Sequence, residues 1–392
     1  MINRHAIIRI PLLTIICAFI VGFGLPVDAF QQTTSSPRSI DWSPDGTRIA
    51  TGHRDGIVRI WAATNGNLIA SYEMRNPSAP QYPLQTMLIV RWSPDSTKLA
   101  VGELRDMPFG FMFVMDATTG QFLMGTQVQD GITDLEWSPD GTRIVTAAPS
   151  ADRLNYVNAM IIFDDTTGQQ VLTIPATLET EGLTSVDWSP EGGRITTNGG
   201  TLNNFGPRVY DATSGQLLLS TQGHERSVDN VIWNHDGTLL ATEASDRTVR
   251  IWNSSTGETI QVIPTNRSYR DLAWQPSDEL LAMYTDEYDS VDILNVSFGQ
   301  IINTLPAYGG AVWSPDGTRL AVGTSDGGIM LLDPLAPLPT NTSTPTPTPL
   351  ASGLVAELFD NPTLDGAALF TRLDPQVDFD WGLGSPDPRL DT

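Results

Sequence analysis

Residues 42 to 50 read WSPDGTRIA, and residues 313 to 321 read WSPDGTRLA. Five weaker copies of the same phrase lie between them, opened by Trp92, Trp137, Trp188, Trp233 and Trp274. Successive tryptophans stand 50, 45, 51, 45, 41 and 39 residues apart. A repeat of that length is one supersecondary unit, which buries its apolar faces only by stacking on its neighbours. The phrase contains a reversal: Pro pre-sets φ at the second turn position, Asp tolerates the third, and Gly closes a type I turn. Pro-Asp-Gly is intact at 44 to 46, 139 to 141 and 315 to 317. It drifts to Pro94-Asp95-Ser96, Pro190-Glu191-Gly192, His235-Asp236-Gly237 and Pro276-Ser277-Asp278.

Around that turn each unit reads alike, with Ser-Ile-Asp-Trp at 39 to 42, TRIAT at 47 to 51, a polar turn, IVRIW at 57 to 61, Thr-Asn-Gly at 64 to 66 and a last strand. Four short strands and three tight turns in this length make one antiparallel blade. The fold class is all-β, a seven-bladed β-propeller of four-stranded antiparallel blades. The tryptophans invite a second reading as ligand-stacking aromatics. An apolar residue stands two before each (Ile40, Val90, Leu135, Val186, Val231, Leu272 and Ala311), the spacing of one face of a strand. Seven indoles burying ~150–250 Å² each contribute up to about 25–45 kcal/mol as an upper bound, which marks core rather than site.

The stretches LATEASDRTVRIWN at 240 to 253 and IATGHRDGIVRIW at 49 to 61 resemble the WD-repeat β-propeller family, and the likeness covers residues 36 to 335. The resemblance implies a structural hydrogen-bond network of His224, Thr242, Asp246 and Trp252 in the fifth blade. The first blade keeps Thr51, Asp55 and Trp61 but lacks the His that precedes the blade. At the corresponding strand ends Met115, Phe163, Tyr210, Leu294 and Leu332 replace Trp. Pro334 and Pro337 leave blade seven without an obvious fourth strand, so residues 30 to 35 are expected to supply it and close the ring, as in that family.

The chain divides into 1–29, a signal peptide; 30–335, the propeller; 336–350, a Pro/Thr-rich linker; and 351–392. Arg4 and Arg9, the apolar run from Ile10 to Leu25, and Val27-Asp28-Ala29 read as a cleaved leader, with Phe30 opening a secreted or cell-surface protein. The alternative is an uncleaved membrane anchor from Ile7 to Leu25, interrupted by Arg9. The only cysteine, Cys17, falls inside this segment, so the remainder has no disulfide framework and no Cys metal site. The linker PLAPLPTNTSTPTPTP, from Pro334 to Pro349, is an extended spacer. After it, Phe359-Asp360-Asn361, Thr371-Arg372, Asp374-Pro375 and the run from Asp378 to Gly382 resemble the opening of the protective-antigen-type (PA-fourteen) β-sandwich, which implies carbohydrate binding. About 40 residues are too few to bury a core. The expectation is a truncated domain that forms at most a loose hairpin.

Twenty-two basic against forty-five acidic residues give a net charge of −23. Nucleic acid is therefore not an expected partner, because phosphate binding needs a basic stripe. Asp286, Glu287, Asp289 and Asp292 offer oxygens for Ca²⁺, but without EF-hand spacing they read first as a solvated acidic turn. The four histidines show no ligand spacing, and no nucleophile elbow or phosphate loop is present. No catalytic residue, metal or cofactor is assigned.

Length variation is more informative. From each first Trp to the Gly of the third turn the counts are 24, 28, 31, 27, 24 and 25, and from that Gly to the next Trp they are 26, 17, 20, 18, 17 and 14. The first turn barely varies, so the additions enter the second turn and one blade-to-blade link, which emerge on the same face of an antiparallel blade. The inserted segments, 75 to 84, 103 to 110, 148 to 158 and 198 to 208, supply Tyr82, Arg105, Phe109, Arg153, Tyr156, Phe205 and Arg208. Aromatics with Arg are the usual anchors of a binding patch, and Asn155, Asn203 and Asn204 suit sugar hydroxyls. The sequence thus reads as an exported, monomeric, non-catalytic scaffold that binds a protein or glycan on this face. The alternative is an extracellular propeller hydrolase or lyase, which would hold clustered carboxylates or a metal in its central channel.

Overall fold

The computed structural model describes residues 36–74, 87–104, 109–129, 131–147, 160–174, 183–198, 205–335, 354–358 and 370–374. Within the first 336 residues, six four-stranded antiparallel meanders and one three-stranded sheet follow one another along the chain. Their first strands are Pro37–Trp42, Met87–Trp92, Asp134–Trp137, Val186–Trp188, Val228–Trp233, Asp271–Trp274 and Ala311–Trp313. All seven end on the repeated tryptophan. These inner strands lie side by side around a central channel, and the last strand of each meander is the outer edge of its blade.

The tryptophans are 3–6% exposed, and each packs against the blade before its own. Trp92 sits with Ala50, Val58 and Ile60 of blade 1. Trp137 sits with Met112 and Val114 of blade 2, and Trp188 with Val145 and Ile162 of blade 3. Trp233 meets Val209, Trp274 meets Ile251, and Trp313 meets Ile293. Trp42 closes the ring against Ala321 and Ile329 of blade 7. Blade 7 has three strands among the described residues; residues 30 to 35, expected to add the fourth, lie outside them.

The reversal after each Trp also carries interactions between blades. In Ser314-Pro315-Asp316-Gly317 the Ser314 hydroxyl donates to Asp316 at 2.5 Å, and the Thr318 N–H donates at 3.0 Å. These bonds hold the Asp316 carboxyl down at about 2. Gly46 occupies the left-handed region, and where Gly is lost the backbone keeps that conformation with a side chain that reaches the preceding blade. Ser96, at φ 61°, accepts the Asp45 N–H through Oγ, and Asp278, at φ 59°, accepts the His235 N–H. The basic residue two past the turn's last position does likewise in the other direction. Arg48 lies 4.6 Å over the Trp92 ring and Arg194 lies 4.5 Å over Trp233. Lys98 pairs with Asp165 at 2.6 Å.

The expected network in blade 5 is formed. Trp252 Nε1 donates to Thr242 Oγ1 at 2.8 Å, Thr242 Oγ1 lies 2.7 Å from His224 Nε2, and His224 Nδ1 lies 3.0 Å from Asp246. Because the Thr242 oxygen receives the indole hydrogen, its own hydrogen goes to Nε2, and Nδ1–H donates to Asp246. Burial pushes the His224 imidazole down, against the pull of Asp246, consistent with this neutral tautomer. Blade 1 solves its missing His differently. His53, read from sequence as a residue of the polar turn, ends the second strand Arg48–His53 fully buried, and its Nε2 lies 2.7 Å from Thr51 Oγ1, which accepts the Trp61 indole N–H.

Residues 337 to 392 form a separate unit. Its described part is one antiparallel pair, Leu354–Leu358 with Phe370–Asp374, and a β-sandwich is not shown. The buried role of His53 is testable by substitution. His53→Ala should destabilise the propeller by about 1–3 kcal/mol in urea unfolding, the penalty of leaving a buried polar partner unsatisfied. An exposed turn residue would give a change within about 0.5 kcal/mol.

Candidate functional site

The channel opens into a cavity of about 650 Å³ on the face where the inner strands begin. All seven blades contribute to its wall, among them Arg38, Arg91, Asp134, Thr184, Asp229, Asp271 and Gly310. Second-turn residues of blades 5 and 6, Arg247, Asp286 and Glu287, form part of the same rim. The mouth therefore lies on the insertion-bearing face.

Below the mouth the channel is charged. Arg91 reaches across to blade 3, with Nε 2.9 Å from Glu136 and Nη2 3.2 Å from Asp134. Burial opposes the charge on Arg91, but Asp134, Glu136, Asp41 and Asp271 outweigh it and hold the guanidinium protonated. Five carboxyls share this one deep cation, with Arg38 nearer the mouth. Burial raises Glu136 to about 8, opposed by Arg91 and reinforced by Asp187, Asp41 and Asp134. It raises Asp187 to about 7, and Asp41 and Asp271 to about 6. The Asp134 carboxyl rises for the same reason.

Three of these carboxylates tie one blade to the next. Asp41 accepts the Trp92 N–H at 2.6 Å, Asp134 accepts the Val186 N–H at 3.1 Å, and Asp187 accepts the Trp233 N–H at 2.6 Å. Ser39 and Ser185 do the same at Val90 and Val231. The channel is thus not apolar: it holds clustered carboxyls, three of which accept backbone N–H groups across a blade boundary. Among the described residues no group of three or more His, Cys, Asp or Glu is arranged to hold a metal ion.

Of the binding residues read from sequence, Tyr82, Arg105, Arg153 and Tyr156 lie outside the described residues, as does the side chain of Phe109 at the start of Phe109–Asp116. Phe205 is half-buried, and its carbonyl accepts the His224 N–H at 3.0 Å, joining its loop to the His224 network. Arg208 is 1% exposed, within the strand Arg208–Asp211. It faces Thr197 as Arg59 faces Thr51 and Arg250 faces Thr242, so it is the arginine of the V-R-I-W phrase and not a surface anchor. Two carboxyls of the acidic run have partners. Asp292 is buried, receiving the Tyr269 hydroxyl at 2.7 Å and Arg267 at 3.2 Å, while Asp286 pairs with Arg270.

The channel residues were missed, although a signal for them exists. The position just before the repeated Trp carries Asp41, Arg91, Glu136 and Asp187 in the first four blades. Strand alternation turns that position away from the seam that the Trp fills.

The WD domain, G-beta repeat model matches residues 24–62, 120–156 and 215–253, the last containing most of the His224 network's strands. The chain is a seven-bladed propeller, three stretches of which match the WD repeat. It is 25% identical over 237 residues to actin-interacting protein 1 of Drosophila melanogaster, covering 59% of this chain and 36% of that protein. It is 24% identical over 257 residues to WD repeat-containing protein 1 of Rattus norvegicus, covering 63% and 39%. It is 31% identical over 120 residues to THO complex subunit 3 of Arabidopsis thaliana, covering 29% and 38%. The WD40 propeller matched here spans less than two-fifths of each relative.

The charged channel gives stability a pH dependence. Carboxyls raised in the folded state hold protons that the unfolded chain has released, so stability falls as pH rises from about 5 to 8, by at most about 1.4 kcal/mol per pH unit for each proton held. His224, lowered on folding, works the opposite way, and only below its ordinary value of 6.5. Melting temperatures should therefore decline from pH 6.5 to 8, and less steeply in Glu136→Gln. Arg91→Met should destabilise strongly at pH 8, by about 3–5 kcal/mol, and much less at pH 5.

Proposed function

We propose that this WD40 propeller is a non-catalytic scaffold that captures a protein partner on its insertion-bearing face. The observation that carries this reading is positional. The channel-mouth cavity, the second turns and the long blade-to-blade link all share one face, while the opposite face consists of short turns of nearly constant length. A scaffold role also accords with the use of Asp41, Asp134 and Asp187 to hold backbone N–H groups of the next blade. Actin-interacting protein 1, by its name, is a protein that interacts with another protein.

Site-specific photo-cross-linking tests the face. A cross-linker at the exposed Arg247 should capture a partner, whereas one at the exposed Thr119 on the opposite face should not. Tyr82→Ala combined with Phe205→Ala should reduce capture at Arg247 at least tenfold. Equal capture from both faces would contradict the proposal.

The site of action proposed for this scaffold is outside the cytoplasm, on the strength of Arg4, Arg9 and the apolar run that follows. Amino-terminal sequencing of the protein from its source cells should read from Phe30. A terminus at Met1 on a soluble cytoplasmic species would overturn this.

A further inference from the structure

Glu243, on the second strand of blade 5, Leu239–Ala244, is 1% exposed. Its Oε1 accepts the Tyr269 N–H of blade 6 at 3.0 Å. Its Oε2 is buried and faces no donor, and the same holds for Oδ1 of Asn230. These two residues are antiparallel partners in register, so their side chains stand side by side on one face of the sheet. Each of these oxygens is a buried acceptor in want of a hydrogen, and a proton on Glu243 supplies one.

The preceding blade shows what the position requires. Blade 4 carries Asn198 at the place of Glu243, one residue past a threonine that faces an inner-strand valine in both blades. The Asn198 amide accepts from the Ser185 N–H at 3.1 Å and donates through Nδ2 to the Val228 carbonyl of blade 5 at 2.9 Å. The seam there is held by a side chain that both accepts and donates. A carboxylate can only accept, whereas a carboxylic acid does both.

We propose that Glu243 is a neutral carboxylic acid in the folded protein at physiological pH, donating its proton to Asn230 Oδ1 while accepting from Tyr269, and that this proton locks the seam between blades 5 and 6 beside the channel mouth. The surrounding charges fit this assignment. From blade 5, Asp229 and Asp246 both disfavour a negative Glu243, and each is already engaged, with Ser245 at 2.7 Å and with His224. From blade 6, the Tyr269 hydroxyl is committed to Asp292, which is neutralised by Arg267. Burial, with these two aspartates, moves the Glu243 carboxyl up to about 8, although the Tyr269 N–H opposes the shift. Loss of the proton sets a carboxylate against the Asn230 oxygen and loosens Ser268, Tyr269 and Arg270, which line the cavity. The device makes that side of the mouth sensitive to mildly alkaline pH.

Infrared spectroscopy of the full chain tests this against Glu243→Gln, whose amide supplies the same donor and acceptor without a titratable proton. The wild-type-minus-variant spectrum at pH 6 should contain one protonated-carboxyl C=O band, which disappears with a midpoint between pH 7 and 9. A spectrum at pH 6 that shows a carboxylate instead overturns the proposal. Stability supplies a second reading that does not depend on the variant being neutral. From pH 5 to pH 8 the folding equilibrium constant of the wild type should fall relative to Glu243→Gln by up to tenfold per pH unit, and a constant ratio over that range contradicts the proposal.

Discussion

Everything in this propeller depends on how the seam between two blades is filled. A four-stranded blade has two faces and neither is stable in water, so the ring exists only if each pair of facing sheets excludes solvent. One indole per seam does this at the inner radius: Trp42, Trp92, Trp137, Trp188, Trp233, Trp274 and Trp313 each lie against the blade before their own. The turn that follows each Trp is tied to the same task, through arginines stacked on indoles and through turn side chains that reach the neighbouring blade. The repeated phrase is repeated because the seam is repeated.

Placing the Trp in the seam fixes the position before it, which faces the channel and the next blade. There, in the first four blades, the chain puts three acids and one arginine, and Asp134 stands on the same strand face two residues earlier than Glu136. Asp41, Asp134 and Asp187 use their carboxylates to hold backbone N–H groups across blade boundaries, and Arg91 offsets part of their mutual repulsion. Burial pushes these carboxyls up, so folding is expected to weaken as pH rises through neutrality. Glu243 follows the same logic at a second place, where an acid replaces the amide of Asn198. The channel thus carries bonds between blades as well as buried protons.

Much of this was legible in the chain. The spacing of the tryptophans gave the number of blades, the Pro-Asp-Gly turns gave the first reversal, and His224, Thr242, Asp246 and Trp252 meet as the repeat resemblance implied. What could not be read were replacements that depend on three dimensions. His53 substitutes for a missing histidine from a different strand, which no linear pattern signals. Arg208 looked like part of an insertion because its neighbours are insertion residues; only its register opposite Thr197 shows it to be the buried arginine of its strand. Asp292 stands where Arg59 and Arg250 stand in other blades, a reversal of charge that makes sense once Arg267 is seen beside it. Three of the channel acids, Asp41, Glu136 and Asp187, were visible as letters just before a repeated Trp, but their meaning required knowing that the inner strands converge on one channel.

The Trp seams and channel bonds fold the ring, and the inserted segments of one face are proposed to carry what it presents. Replacing segments 75–84, 105–108, 148–158 and 199–204 together by short turns, then measuring the melting temperature and the capture of the cross-linked partner, tests that separation most directly. The expected result is a propeller with an essentially unchanged melting temperature that no longer captures the partner. A collapsed melting temperature, or undiminished capture by the shortened ring, would contradict it.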